Sequence, residues 1–166
     1  MRKSFSLLTL ILCFTALGQA TENDPKDAFK NLAGSNWISE GIQLGGHKGK
    51  TIKEISWGLD KTILHVKTFT TDPTTLEFGL RNEGIRAYNN ATTSWEFYEF
   101  DKFGGITKGE IYAVGKNLYY KYIYGDSVLL DCWEYVNDNE YTYSVNVVNG
   151  KGEIEKTYHK GTFVRQ

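Results

Sequence analysis

The clearest structural signal in the chain is the alternating run Glu140-Tyr141-Thr142-Tyr143-Ser144-Val145-Asn146-Val147. Its aromatic and apolar residues occupy every second position, and polar residues occupy the positions between them. Successive side chains of a β-strand point to opposite faces, so the run predicts a strand with one apolar face and one solvated face. Strands of parallel sheets are buried on both faces, so this pattern indicates an antiparallel sheet.

Similar strand-like runs, rich in β-branched and aromatic residues, fill the chain after Gly34. They are separated by turns such as Gly125-Asp126 and Asn149-Gly150-Lys151-Gly152, which suit tight hairpins because they tolerate positive φ. No interval is long enough for a crossover helix, so we expect consecutive strands to pair. The predicted strands cover residues 36–43, 50–58, 61–70, 75–81, 84–89, 93–100, 106–114, 117–124, 127–136, 139–148 and 152–165.

We predict an all-β fold, a single antiparallel up-and-down β-barrel of about ten strands with a short N-terminal helix. Closure into a barrel hides strand edges that would otherwise be exposed. A Greek-key sandwich of two sheets is the alternative, because the sequence does not show which strands pair. The helix is predicted over residues 24–33, where Asp24-Pro25 forms its start and Gly34 its end. It places Phe29 and Leu32 on one side, so we expect that side to pack on the barrel.

Residues 1–20 have the pattern of a signal peptide. Arg2-Lys3 precedes the apolar run Phe5–Ala16, and Gly18-Gln19-Ala20 is a small-x-small cleavage pattern. The apolar run is too short to span a bilayer. We therefore expect residues 21–166 to form one exported domain, periplasmic or secreted, and a retained N-terminal anchor is the alternative.

The composition of residues 21–166 narrows the possible partners. Without Arg2-Lys3, 17 basic residues remain against 20 acidic residues, a net charge of about −3. We therefore expect no nucleic-acid partner and no membrane span. Cys132 is the only cysteine in this range, so no intrachain disulfide is expected. The sequence also lacks the common motifs of hydrolases, phosphate-binding loops and zinc proteases, so we predict no catalytic residue and no metal site.

The run Leu32-Ala33-Gly34-Ser35-Asn36-Trp37, followed by Ser39-Glu40-Gly41, resembles the entry into the first strand of calycin-type barrels. These are the lipocalins, the fatty-acid-binding proteins and the nitrobindin-like haem barrels, in which a short helix leads to Gly-x-Trp. Here the spacing is Gly-x-x-Trp. The resemblance implies barrel closure by a basic residue of the last strand over the tryptophan, and Arg165 is placed to make that cation–π contact with Trp37.

A narrower likeness is to uncharacterised lipocalin-like proteins of bacterial envelopes. It is carried by Gly84-Ile85-Arg86-Ala87-Tyr88 and by Trp95-Glu96-Phe97-Tyr98-Glu99-Phe100-Asp101. Those proteins have no settled activity, so the likeness implies an architecture and no chemistry.

A closed barrel of ten strands has an interior wider than side chains usually fill, so we expect a cavity. The abundant tyrosine and tryptophan rings suit an amphipathic or aromatic ligand. Our leading hypothesis is therefore an exported protein that binds a small hydrophobic or aromatic molecule, with one arginine or acid fixing its orientation. The predicted ligand-binding residues are Trp57, Arg86, Trp95, Phe97, Glu99, Tyr120, Tyr122, Trp133, Tyr141, Tyr143 and His159.

A second hypothesis is haem binding through His159. If Arg165 points to the end of the barrel, the alternation along the last strand places Phe163 and His159 on the same inner face. The nitrobindin-like resemblance implies a haem-ligating histidine on this strand, and an imidazole in an aromatic cavity can ligate haem iron. A histidine that is exposed or bonded within the strand is the alternative, and a register slip of one residue would reverse its side. His65 is also a candidate for the interior.

Two further possibilities remain open from the sequence. One is a barrel enzyme of decarboxylase or isomerase type that uses an interior carboxylate with a tyrosine or an arginine. The enzyme hypothesis requires Glu99 and Glu134 to face the same side. The other is a module with a filled core that binds a partner through an exposed aromatic patch. No cofactor is required by the leading hypothesis, and the sequence does not address the oligomeric state.

Overall fold

The structure is a computed structural model that describes residues 25–43 and 46–166. The predicted signal peptide over residues 1–20 and the Asp24 cap lie outside the described residues. In the described part of the chain, one α-helix, a three-residue 3-10 helix (Leu59–Lys61) and ten strands make up the fold, which confirms the predicted all-β barrel with a short helix near its N-terminus. The elements are α1 (Pro25–Leu32), β1 (Ser35–Ile42), β2 (Lys48–Gly58), β3 (Ile63–Thr71), β4 (Phe78–Asn89), β5 (Ser94–Asp101), β6 (Ile106–Val114), β7 (Asn117–Tyr124), β8 (Ser127–Asn137), β9 (Glu140–Val148) and β10 (Ile154–Arg165).

Each strand pairs antiparallel with the next strand in the chain, and β10 returns to pair with β1. In this closing pair Trp37 lies opposite Arg165, and Ile38 lies opposite Val164. The result is a closed up-and-down barrel, so the alternative of a two-sheet sandwich is wrong. Closure leaves none of the ten strands with a free edge.

Trp37 and Arg165 meet as the resemblance implied. The guanidinium carbon of Arg165 lies 4.9 Å from the centre of the Trp37 ring, and its guanidinium also donates to the backbone carbonyl of Asn31. Trp37 is fully buried, and its indole N–H donates a 2.9 Å hydrogen bond to the carbonyl of Leu32. These contacts fix the end of α1 to the pair of strands that closes the barrel.

The helix covers one end of the barrel. Phe29 is buried and packs edge-on against Trp95, with ring centres 5.0 Å apart, and against Trp57 at 6.5 Å. Leu32 is buried on the same side, as the sequence predicted. Among the described residues, no helix is long and apolar enough to cross a membrane.

The two predicted strands 75–81 and 84–89 are one continuous strand in the structure, β4. The break expected at residues 82–83 is absent, because Asn82, Glu83 and Gly84 each pair with both neighbouring strands. Gly84 has a different role: a Cβ there would lie 2.2 Å from the carbonyl oxygen of Tyr98. It therefore allows β4 and β5 to approach closely.

His65, a candidate for the interior from its sequence position, does not face the cavity. The inward residues of β3 are Leu64, Val66 and Thr68, which are buried, so His65 lies on the outer face with Ile63. Both alternating sets of this strand contain apolar residues, so periodicity alone did not distinguish the two faces.

The solvated face predicted for β9 is also wrong at one position. Asn146 belongs to the outer face but is only 2% exposed. Its amide donates to the carbonyl of Leu130 at 3.2 Å and to Ser144 at 2.9 Å, and it accepts from Thr157 at 2.8 Å. Asn146 therefore connects the outer faces of three consecutive strands.

Candidate functional site

The barrel interior encloses a cavity of about 850 Å³. It begins beside Leu32 of α1 and extends along the barrel to the hairpins at the opposite end, which we call the mouth. The mouth is lined by His47, Asp72, Arg81, Lys102 and Tyr124, among others. The interior is therefore hollow, and the filled core considered from the sequence is wrong.

Eight of the eleven predicted ligand-binding residues line this cavity. They are Arg86, Phe97, Glu99, Tyr120, Tyr122, Trp133, Tyr143 and His159. The structure places the other three, Trp57, Trp95 and Tyr141, in the packed core next to α1 and outside the cavity lining. Tyr141 is fully buried there and its hydroxyl accepts a hydrogen bond from Asn31 at 3.1 Å.

Aromatic rings form the apolar wall of the cavity near α1. Trp133 stacks on Phe163 with ring centres 4.8 Å apart, and Tyr143 lies 5.3 Å from Trp133. On the other side, the ring of Phe97 packs edge-on against Tyr122 at 5.7 Å. These rings offer an apolar surface to one part of a ligand.

An arginine and a glutamate form a buried ion pair above this aromatic wall. Arg86 is 4% exposed, and its Nη2 lies 2.6 Å from Oε2 of Glu99. The other oxygen of Glu99 accepts from the side-chain amide of Asn82. Burial raises the pKa of Glu99, but the Arg86 and Lys53 cations outweigh that effect and hold the pKa below its ordinary value. Glu99 is therefore an ionised group with both oxygens occupied.

Two of the remaining donors of Arg86 make no hydrogen bond of ordinary geometry, although the Tyr120 hydroxyl lies close to the guanidinium. Its Nε and Nη1 are buried and make no hydrogen bond within the part of the chain that is described. The guanidinium carbon lies 5.5 Å from the ring centres of both Phe97 and Tyr120. Burial raises the pKa of Tyr120, although the neighbouring cation of Arg86 lowers it. Buried donors are almost always hydrogen-bonded, so these two groups indicate room for an acceptor.

Asp131 is a second interior carboxyl group, on β8. Tyr143 donates to one of its oxygens at 2.7 Å, and Tyr122 donates to the other at 3.0 Å. Burial raises the pKa of Asp131 to about 6, although these hydrogen bonds lower it. Asp131 therefore changes its protonation state at mildly acidic pH, where ordinary carboxyl groups are already ionised.

Lys53 projects into the cavity from β2. Its Nζ donates a long, 3.4 Å hydrogen bond to Thr68, and lies 5.8 Å and 5.9 Å from the ring centres of Trp133 and Tyr143. Within the described ranges, no carboxylate oxygen lies within 4.0 Å of it. Burial lowers the pKa of Lys53, and the charge of Glu99 opposes this effect.

Neither Lys53 nor Asp131 is among the ligand-binding residues predicted from the sequence. The signal for Lys53 was present: it shares the period-two face of Ile55 and Trp57. A lysine on a strand is usually solvent-exposed, so this signal is weak without knowledge of barrel closure. Glu134, in contrast, is exposed on the outer face and does not share the inner side of Glu99, which the barrel-enzyme hypothesis required.

His159 lines the cavity, as the alternation along β10 predicted. Its ring centre lies 6.1 Å from that of Tyr143. Gly161 leaves space beside it, because a Cβ there would lie 3.2 Å from Nε2 of His159. Burial lowers the pKa of His159, which favours the neutral imidazole. No group of three potential metal-ligating His, Cys, Asp or Glu side chains occurs among the residues whose positions are described.

Comparison with models of known protein families and with curated protein sequences finds no match to this chain. A functional assignment has to be argued from the cavity and the groups that line it.

Proposed function

We propose that the protein binds a small amphipathic molecule in the barrel cavity, with an aromatic or apolar body and one anionic group. The body would lie against the rings of Trp133, Phe97 and Tyr143, and the anionic group would accept from Arg86. The observation that carries this proposal is the pair of buried donors, Nε and Nη1 of Arg86, that have no partner in the described structure. A carboxylate oxygen can accept a charge-assisted hydrogen bond from either of these donors, which lie on different edges of the guanidinium.

The balance of donors and acceptors in the cavity supports an anionic ligand. Both oxygens of Glu99 already accept from Arg86 and Asn82, and both oxygens of Asp131 accept from tyrosines. The cationic donors with spare capacity belong to Arg86 and Lys53, and the buried polar atoms of the lining that have no partner among the described residues also include Nδ1 of His47 and one acceptor, Oδ1 of Asn82. A ligand that supplies acceptors therefore fits better than one that supplies donors.

The aromatic wall supplies the second part of the recognition. Burial of apolar surface contributes about 25 cal/mol per Å², so a bicyclic aromatic body that leaves water for this wall gains several kcal/mol. Orientation then comes from Arg86, because the body alone makes non-directional contacts. This division is typical of small-molecule sites, which combine an apolar lining with a few placed polar groups.

The test compares two probes with the same aromatic body, 2-naphthoate and 2-naphthalenemethanol, by isothermal titration calorimetry. We expect the wild type to bind the carboxylate about tenfold or more tightly than the alcohol, since a charge-assisted hydrogen bond contributes about 1.5–3 kcal/mol. The double substitution Arg86→Gln and Glu99→Gln removes the ion pair without leaving a lone buried charge, and should abolish this preference. Arg81→Gln, which removes a cation at the mouth, should retain it. Equal affinities of the wild type for the two probes would refute the anionic-ligand proposal.

Haem binding through His159 is the second candidate, because the imidazole faces the cavity and burial favours its neutral, ligating form. The charged groups Lys53, Arg86, Glu99 and Asp131 fit the apolar faces of a porphyrin poorly. We therefore derive no chemistry through haem. Addition of haem to the purified protein, followed by an absorbance scan, tests the idea: a Soret band that is lost in His159→Ala would support it.

We also propose that this barrel is of the lipocalin-like type and that it acts after export. The closing pair of Trp37 and Arg165 supports the first statement, and the signal-peptide pattern of residues 1–20 supports the second. Intact mass of the protein recovered from a secreting host tests export, since removal of residues 1–20 gives a defined mass.

A further inference from the structure

We infer that Lys53 acts as a nucleophile that captures an aldehyde or ketone in the cavity as a reversible covalent imine. This inference rests on the proposed function in that the ligand must enter the same cavity. It goes further in assigning a covalent step and a carbonyl group to the ligand.

The first support is the unusual environment of the Lys53 amine. Buried lysines are almost always paired with a carboxylate, yet no carboxylate oxygen lies within 4.0 Å of this one in the described structure. Its single hydrogen bond, to Thr68, is 3.4 Å long. The charged form of this amine therefore has no direct ion-pair partner among the residues described, and the neutral amine has the lone pair needed to attack a carbonyl carbon.

The charges around the amine act in both directions: Glu99 and Asp131 favour its protonated form, whereas burial and Arg86 favour the neutral amine, and the pKa of Lys53 lies below its ordinary value. Arg86 is a permanent cation in the same cavity and disfavours a second positive charge on Lys53. Of the two interior carboxyl groups, Glu99 is already neutralised by Arg86 at 2.6 Å. A lysine that is desolvated beside another cation is a recognised way to activate this side chain as a nucleophile.

The position of the amine suits a planar carbonyl compound. Lys53 Nζ lies 5.8 Å from the centre of the Trp133 ring and 5.9 Å from that of Tyr143. An aromatic aldehyde that packs against these rings brings its carbonyl carbon to the amine. Tyr143 in turn donates to Asp131, so a group that exchanges protons at mildly acidic pH lies within the same network.

The reaction is balanced without any additional reagent. The Lys53 nitrogen forms a bond to the carbonyl carbon, and the carbonyl π electrons move to the oxygen. A proton moves from nitrogen to that oxygen, with the Asp131 and Tyr143 pair as the nearby carrier. Loss of water then breaks the carbon–oxygen bond and gives the imine, and addition of water reverses the sequence.

The experiment incubates the full-length protein with 2-naphthaldehyde and sodium cyanoborohydride, which converts an imine to a stable amine. Intact and peptide mass spectrometry then locate the adduct. We expect one adduct at Lys53, and its loss in both Lys53→Arg and Lys53→Met. Lys53→Arg retains the positive charge and so controls for folding, and Lys67→Arg, on the outer face, should leave the adduct unchanged.

Two outcomes would overturn the inference. One is the absence of an adduct on the wild type, and the other is labelling spread over outer lysines that is unchanged in Lys53→Arg. Titration with 2-naphthoate distinguishes this failure from failure of the proposed function. If 2-naphthoate binds but no adduct forms, only the covalent step is wrong, and if neither ligand is held, the binding proposal is wrong as well.

Discussion

Trp37 and Arg165 lie opposite each other where the first and last strands join, with the guanidinium carbon 4.9 Å from the centre of the indole ring. This contact lies where the chain has to complete its longest-range strand pairing. The same guanidinium reaches the carbonyl of Asn31 at the end of α1. The closing contact therefore holds together the first strand, the last strand and the helix.

Arg165→Met should lower the free energy of unfolding by about 1–2 kcal/mol, because it removes a desolvated cation–π contact and a charged hydrogen bond. Urea denaturation followed by tryptophan fluorescence measures this change. The matched control is Arg81→Met, which removes a cation 4.3 Å from the exposed ring of Phe103. We expect the control to change stability by less than about 0.5 kcal/mol. Equal losses would contradict a special role for the closing contact.

Arg86→Met should destabilise the protein by about 3–5 kcal/mol, since it leaves Glu99 as an unpaired buried charge. Arg86→Met combined with Glu99→Leu should cost less than the single substitution, because no buried charge then remains. A double-mutant cycle measured by urea denaturation gives the coupling energy of the pair. The outer pair Lys67 and Glu83, 3.7 Å apart and about half exposed, should show a coupling below about 1 kcal/mol. A coupling energy below about 1 kcal/mol for the inner pair, Arg86 and Glu99, would indicate that water reaches this pair freely.

Asp131 should make the protein less stable as the pH rises from about 4 to about 6. Its folded-state pKa, about 6, lies above the ordinary value of 3.8, so the folded state holds the proton more tightly than the unfolded chain. The stabilisation is therefore complete at low pH and is lost as the pH passes through the folded-state value. We expect a difference of order 2 kcal/mol between these pH values.

Denaturation of wild type and Asp131→Asn at several pH values isolates this contribution. The variant should lack the fall in stability that Asp131 causes between pH 4 and pH 6, whereas Asp126→Asn, in an exposed turn, should retain it. A wild type and Asp131→Asn with parallel pH profiles would show that the carboxyl group titrates normally.

Gly84→Ala should cost about 1–3 kcal/mol, because the new Cβ would meet the backbone carbonyl of Tyr98 at 2.2 Å and neither strand can yield easily. Thermal unfolding measures the change. Gly79→Ala, in the same strand, is the matched control, since a Cβ there meets nothing within 4 Å. Similar midpoints for the two variants would contradict the close approach of β4 and β5.

The architecture was predictable from the sequence because its signals are local and repeated. The alternation around Tyr141 and Tyr143 gave the correct inner face, and the intervals between strands left no room for a crossover helix. The pairing of Trp37 with Arg165 followed from the resemblance to calycin-type barrels. The error at residues 82–83 has a physical cause, since Asn and Gly are typical of turns, yet here Gly84 allows two strands to approach closely.

The chemistry of the cavity was only partly predictable. Arg86 and Glu99 stood out because they are charged residues in aromatic strands, and the structure joins them. Lys53 did not stand out, because a lysine on a strand is usually exposed to solvent. Only the closure of the barrel shows that this face of β2 lies inside. Whether the Lys53 amine has an ion-pair partner depends on its distances to residues of three other strands. No single segment of sequence contains those distances.

The helix at one end gives the cavity a further property, which concerns kinetics. Among the described residues, α1 is packed across that end and all ten strands are joined around the side, which leaves the mouth as the opening of the cavity. For the proposed ligand, rates of association and dissociation should then depend on His47, Arg81, Lys102 and their loop neighbours at the mouth, whereas the affinity should depend on the residues deeper in the cavity. Substitutions in these loops should change how quickly equilibrium is reached and leave its position nearly unaltered.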